Sequence, residues 1–385
     1  MFPVVDSSTW AANTGRDAYN APIAPPTCCG AAMVRLARRE TIDPHDVVVA
    51  HVCNRTVRKC FLMGEDASSG KNFDHRKVWI EEYLQQFSRH FGVDLLGFSI
   101  LSNHMHLILR TRPDVVTTWS DEEVARRWMM LCPHRKNADG SACLPTEPEI
   151  KSIAGCPVKT KEIRERLSSI SWWMRLLCQR VAMRANREEE ETGRFWQDRY
   201  HATVLTDEAS LLACAAYVDL NPIRAAMCEK IEDSDHTSVQ RRIEAKRAES
   251  QVVEEPNPKR EALDSFLAPL SINERSDAVG PCPSASPSRC SDKGFLAMSL
   301  EDYLLLLDWT ARQSVEGKRG RTPECIAPIL KRLGLAQPSW CELVSDFGKL
   351  FSCVAGKPSV VDSMRTPHGH RRMYLRRRAR ELMTA

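Results

Sequence analysis

The chain has 385 residues, 43% hydrophobic and 27% charged, which excludes a collagen, a coiled-coil rod and wholesale disorder. That length sets an expectation of about two to three domains. Its 54 Lys and Arg against 50 Asp and Glu leave a net charge of +4, too weak an excess to announce a nucleic-acid binder on its own. The longest apolar run, 211–218, falls far short of the roughly 18 residues that span a bilayer, so no membrane partner is expected. The fifteen cysteines are scattered, and no apolar segment follows the first positive charge, Arg16. Both points suit reduced thiols and a cytoplasmic location.

In chain order, residues 1–44 read as a loosely ordered arm, with Asn20-Ala-Pro-Ile-Ala-Pro-Pro26 lacking any helical or strand period. Residues 47–53 are β-branched and bounded by Pro44 and Asn54, which predicts a strand. Ile80, Leu84, Phe87 and Phe91 recur at helical spacing over 74–91. Residues 94–101 and 104–110 read as a strand pair joined by the turn signal Ser102-Asn103. The segment 113–161 fits no element of this plan and is read as an insertion. Residues 162–186 carry Ile163, Leu167, Ile170, Met174, Leu177 and Val181 at alternating steps, which predicts one long helix. A fourth strand is predicted over 199–205, then a helix capped by Asp207 and running to about Leu220. The order β-α-β-β-α-β followed by α is the split βαβ, ferredoxin-like arrangement, an α+β fold with an antiparallel sheet over 45–250. Residues 251–294 read as a linker. Ser, Pro and Gly supply ten of the nineteen residues in 276–294. Residues 295–385 are expected to form a small, mainly helical accessory region. Its end carries seven arginines between 365 and 385 against one acid, Glu381. That end reads as a phosphate clamp, with Arg376 and Arg377 among its contacts, or as a solvated tail.

Three motifs carry chemistry. His104 and His106 alternate with Met105, Leu107 and Leu109, so both imidazoles lie on one strand face, spaced to reach one divalent ion. Two histidines on a half-exposed sheet face are the bland alternative. Tyr217 and Asn221 are four apart, so they share a helical face, and Pro222 ends the helix there. Tyrosine serves as a nucleophile when a metal or base favours its phenolate, and a core tyrosine followed by an asparagine cap is the alternative. Gly193-Arg-Phe-Trp-Gln-Asp-Arg-Tyr200 interleaves aromatics with Arg194 and Arg199, which suits single-stranded nucleic acid or ordinary packing with exposed arginines. Cys132, His134, Cys143 and Cys156 lack the spacing of a zinc site.

Taken together, four stretches resemble the HUH single-strand DNA transposases with one catalytic tyrosine, most closely the REP-associated tyrosine transposases. They are Cys53-Asn-Arg-Thr-Val-Arg-Lys-Cys-Phe61, Leu96-Gly-Phe-Ser-Ile-Leu-Ser-Asn-His-Met-His-Leu-Ile-Leu109, the 193–200 motif and Tyr217-Val-Asp-Leu-Asn-Pro-Ile-Arg224. The resemblance covers about 45–245. It implies that His104, His106 and Asn221 hold Mg²⁺ or Mn²⁺ and that Tyr217 attacks the scissile phosphate. Single-stranded DNA would be nicked beside a hairpin, leaving a 5′-phosphotyrosine and a free 3′-OH. Asn54, Arg55, Arg194, Arg199 and Arg224 would contact the DNA, a homodimer is one option, and the protein would join the nucleoid when bound. Two departures stand out: the insertion, and the lack of a glycine before Asn54-Arg55. A domesticated, non-cleaving hairpin DNA or RNA binder and a metal-dependent phosphodiesterase using water are the rival readings.

Overall fold

The structure, a computed structural model, describes residues 42–66, 69–138, 140–251, 262–273, 288–313, 326–368 and 373–384. Strand β1 (Val49–Arg55) is followed by a short hairpin, β2 (Glu65–Asp66) and β3 (Lys71–Asn72), then by α1 (His75–His90), β4 (Val93–Ile100) and β5 (His104–Thr111). Helices α2 (Pro113–Thr117), α3 (Asp121–Leu131), α4 (Glu147–Ala154), α5 (Pro157–Leu167) and α6 (Ile170–Glu188) lead to β6 (His201–Leu205). Next come α7 (Glu208–Asp219), α8 (Asn221–Arg224) and α9 (Ser238–Gln251). The remainder holds α10 (Leu300–Gln313), α11 (Ile326–Leu333), α12 (Gln337–Leu350), β7 (Val354–Ala355), α13 (Pro358–His368) and α14 (Arg377–Thr384).

The main sheet has the order β4-β5-β1-β6-β7. Its first four strands pair antiparallel, in the order of the ferredoxin-like plan. Alternation along β5 sends Met105, Leu107 and Leu109 into one core and Ile108 into another. The first core, shared with α1 and α6, includes Ile80, Leu84, Phe87, Met174 and Leu177. The second lies under α7, an all-round apolar helix and therefore a buried one. Asp207 starts α7: its carboxylate accepts from the Ser210 amide at 2.8 Å, while Ser210 accepts from the Asp207 amide at 3.3 Å.

Two expectations change, for the 162–186 helix and the linker, and two gain detail. The helix read over 162–186 is two helices. Ser169 caps α6, and the Leu167 carbonyl accepts from the Gly92 amide at 2.9 Å, which ends α5 against the sheet. The apolar stride survives the break because both helices face one core. The insertion 113–161 is built of helices, and Val115, Val124, Met129, Ile150 and Ile153 join that same core.

The described parts of the 251–294 linker lie along β4 and β5. Burying Asp94, Arg110 and Arg112 requires partners. Arg110 donates to the carbonyls of Lys293 and Gly294, and the Ser291 hydroxyl donates to Asp94 at 2.7 Å. Finally, the carboxy-terminal region is mainly helical, but it also supplies β7. Val354 and Ala355 pair parallel with Val204 and Leu205, and α10 and α12 share the α7 core. It is thus a second layer on the sheet. The N-terminal arm through residue 41 and the Arg321-Thr-Pro turn lie outside the described residues.

Candidate active site

The site grows from the register of β1 on β5. Arg55 pairs with His104, Cys53 with His106 and His51 with Ile108. Directly opposed residues share a face, so Arg55, His104, Cys53, His106 and His51 all look toward α7. The rings of His104 and His106 are 5.0 Å apart and nearly perpendicular. Tyr217, near the end of α7, sets its ring 5.4 Å from His106 and 5.8 Å from His51. Among the described tyrosines, it is Tyr217 whose ring meets the histidines. Tyr200 donates to or accepts from Ser171 at 2.9 Å, against the other core. Tyr303 donates to Asp219 at 2.7 Å.

The hydrogen bonds settle the state of one imidazole. Asn103 Nδ2 donates to the Lys59 carbonyl, which leaves its Oδ1 as the acceptor for His104 Nδ1 at 2.7 Å. His104 therefore carries its proton on Nδ1 and keeps a lone pair on Nε2. His106 meets His51 through Nδ1···Nε2 at 2.8 Å, and its own Nε2 is buried without a partner. Burial pushes His51 and His104 down to about 3, and His106 well below the ordinary imidazole range. All three rings are neutral at pH 7, the state in which imidazole binds a metal.

Asn221 sits where α7 gives way to α8, with Pro222 at the first turn. Its Oδ1 accepts from Arg224 Nη2 at 3.3 Å, and its Nδ2 is buried without a partner. A carbonyl oxygen has a second lone pair, so Asn221 can still offer an oxygen. Two imidazole Nε2 atoms plus one amide oxygen fit a divalent cation, and the orphaned His106 Nε2 is the strongest sign of it. Among the described residues, no group of three or more His, Cys, Asp or Glu is gathered for a metal.

Arg224 turns inward. Its guanidinium lies 4.2 Å over the Tyr217 ring, and Nη1 donates to the Val344 and Ser345 carbonyls of α12 at 2.7 and 2.9 Å. These contacts tie it to Tyr217 and Asn221 as well as to α12. Phe347 of α12 packs 5.6 Å from the Tyr217 ring, and a Cβ on Gly348 would stand 3.1 Å from the Tyr217 hydroxyl. Burial pushes that phenol up to about 12, against the opposing pull of Arg224. Burial also raises the neighbouring Cys53 to about 11.

The other sequence candidates scatter. Arg55 is on the histidine face. Asn54 points to the opposite face, where its Nδ2 donates to Cys178 Sγ at 3.1 Å. There it helps line a cavity of about 470 Å³ with Trp172, Arg175, Trp196, Arg199 and Tyr200. Arg194 and Arg199 are exposed. Arg376, just before α14, donates to the Lys349 carbonyl, and Arg377 on α14 pairs with Glu381 at 3.1 Å. Arg378 and Arg380 pair with Glu342 and Asp362. Arg371 and Arg372 lie outside the described residues. The clamp read from sequence is therefore partly spent on carboxylates. Cys132, Cys143 and Cys156 are free thiols.

Sequence reasoning missed His51, Phe347 and Gly348. A lone histidine in a β-branched strand looks like core, and only the pairing of β1 with β5 exposes its role.

No protein-family model and no curated protein matches the chain. Among solved structures, a REP-associated tyrosine transposase bound to a REP hairpin is similar at 11% identity, over 60% of this chain and 96% of that one, with a TM-score of 0.32. At that identity and score the likeness is too distant to carry function.

Proposed function

We propose that the chain cuts and rejoins single-stranded DNA beside a hairpin, with Tyr217 as nucleophile, and so serves DNA transposition. The observation behind this reading is the convergence of Tyr217, His106 and His104 on one sheet face, with ring separations of 5.4 and 5.0 Å. His104 and His106 would hold Mg²⁺ or Mn²⁺ through Nε2, with the Asn221 oxygen as third ligand. Such a cation neutralises charge on the phosphate and orients it.

The Tyr217 oxygen then forms a bond to phosphorus as the bond to the 3′ oxygen breaks. The phenolic proton passes to water, and the departing 3′ oxygen takes one from water. The phosphotyrosine keeps the phosphodiester energy, so a 3′-OH can reverse the step without ATP. Arg224, bonded at once to Asn221 and to the backbone of α12, keeps Tyr217 and Asn221 in fixed relation. Arg55 on the histidine face, and exposed Arg194 and Arg199 beside Trp172 and Trp196, supply phosphate and stacking contacts to a single strand.

One observation favours a second reading, a hairpin-binding protein that does not cut: Phe347 packs on the partly buried Tyr217 ring, and the backbone at Gly348 lies close to its hydroxyl. Labelled hairpin DNA with a single-stranded flank, incubated with Mg²⁺ and run on a denaturing gel, separates the two. A covalent adduct, absent in Tyr217→Phe and mapped to the Tyr217 peptide, supports cleavage. Binding without an adduct supports the second reading, and cut DNA without an adduct points to water as nucleophile.

A further inference from the structure

His104 and His106 are held by two different kinds of partner. Asn103 can only accept through Oδ1, and so it fixes His104 with the proton on Nδ1. His106 has His51 in the matching place, at 2.8 Å, with the two rings within 9° of parallel. An imidazole partner can donate or accept, so the choice of tautomer falls to the surroundings. If His51 donated, His106 would carry its proton on Nε2, a buried atom with no acceptor in reach. If His106 donates, that same atom is a bare lone pair on the face it shares with His104 and Tyr217.

We propose that His51 is a positioning residue for the cation pair: its Nε2 accepts the Nδ1 proton of His106, leaving the His106 Nε2 lone pair free to bind a divalent cation. This rests on reading His104 and His106 as that pair. The partner behind a metal-binding histidine usually fixes both its tautomer and its ring orientation. His51 is itself braced by the edge contacts of Phe347 and Tyr217, at 6.0 and 5.8 Å, and by its strand pairing with Ile108. The two histidines are thus matched, each with Nδ1 held by a partner and Nε2 left as a lone pair.

The test uses the full chain labelled with ¹⁵N-histidine, metal-free at neutral pH, with His106→Gln to assign the resonance. Long-range ¹H–¹⁵N spectra are expected to show His106 protonated on Nδ1. His51→Phe keeps a ring of similar shape and removes the acceptor. It is expected to shift His106 toward the Nε2 tautomer and to weaken Mn²⁺ binding, counted by electron paramagnetic resonance, by about 10- to 100-fold. His51→Gln, whose Oε1 can accept the same proton, is expected to restore both. Protonation of Nε2 in the wild type overturns the assignment even if His51→Phe fails to fold. So does a folded His51→Phe with unchanged tautomer and Mn²⁺ affinity. A wild type that shows the expected tautomer and yet binds no Mn²⁺ overturns the cation reading itself.

Discussion

Raising the pH is expected to speed adduct formation tenfold per unit from about pH 7 to about pH 9.5. In the proposed reaction the nucleophile is the phenolate of Tyr217, and burial beside α12 holds that group at about 12. An ordinary tyrosine titrates near 10. At pH 8 about one Tyr217 in ten thousand is ionised, against about one in a hundred for an exposed tyrosine. Below its pKa the ionised fraction rises tenfold with each unit, so the logarithm of the rate climbs with a slope near one. The histidines do not blur this window, because His51 and His104 sit at about 3 and His106 is also held well below its usual range. The assay is the initial rate of covalent adduct on labelled hairpin DNA, with saturating Mg²⁺ and constant ionic strength. A rate that levels off at or below about pH 10 would refute the reasoning, since it would mean that the hydroxyl titrates as freely as an exposed one does.

Three further outcomes are expected. His104→Ala and His106→Ala should each abolish cleavage while leaving the thermal melt close to that of the wild type; full activity of either after chelation and Mg²⁺ return would remove the pair from the site. Acidification from about pH 7 to about pH 5 should lower the urea midpoint. The unfolded chain takes up protons at His51, His90, His104 and His106 below about 6.5, whereas the folded chain keeps all four depressed. Each histidine contributes a slope of up to about 1.4 kcal/mol per pH unit, and a flat midpoint across that window would contradict their burial. Replacing Arg194 and Arg199 by alanine should weaken single-strand binding and reduce its salt slope by about one each. Arg378→Ala should cost affinity little, because Arg378 already pairs with Glu342 and Glu381; equal salt-slope losses from all three would revive the clamp at the end of the chain.

The strand alternation of 104–111 and the Asp207 cap were legible because each is a local rule of spacing or capping. The ferredoxin-like order followed from those elements in sequence. What escaped depends on contacts distant along the chain. His51 gains meaning from its bond to His106, 55 residues on. Strand β7 has two residues, too few to show a period. The break between Leu167 and Ile170 hides inside an unbroken apolar stride, and only a carbonyl taken by Gly92 reveals it. Ser- and Pro-rich composition suggested a free linker over 276–294, yet the partners for Asp94 and Arg110 come from its last residues.

The cover over Tyr217 has a consequence for synthesis. Phe347 and Gly348 leave the ribosome 130 residues after the tyrosine that they cover. At about 5–20 residues per second, translation separates the two events by about 6 to 26 s. The strand that anchors this layer, β7, pairs with a partner 150 residues upstream, the kind of distant closure that forms late. A growing chain therefore has β1, β4, β5, β6 and α7 synthesised before Phe347 and Gly348 can reach Tyr217. What lies against the Tyr217 hydroxyl in the finished protein is thus among the last parts of the chain to be made.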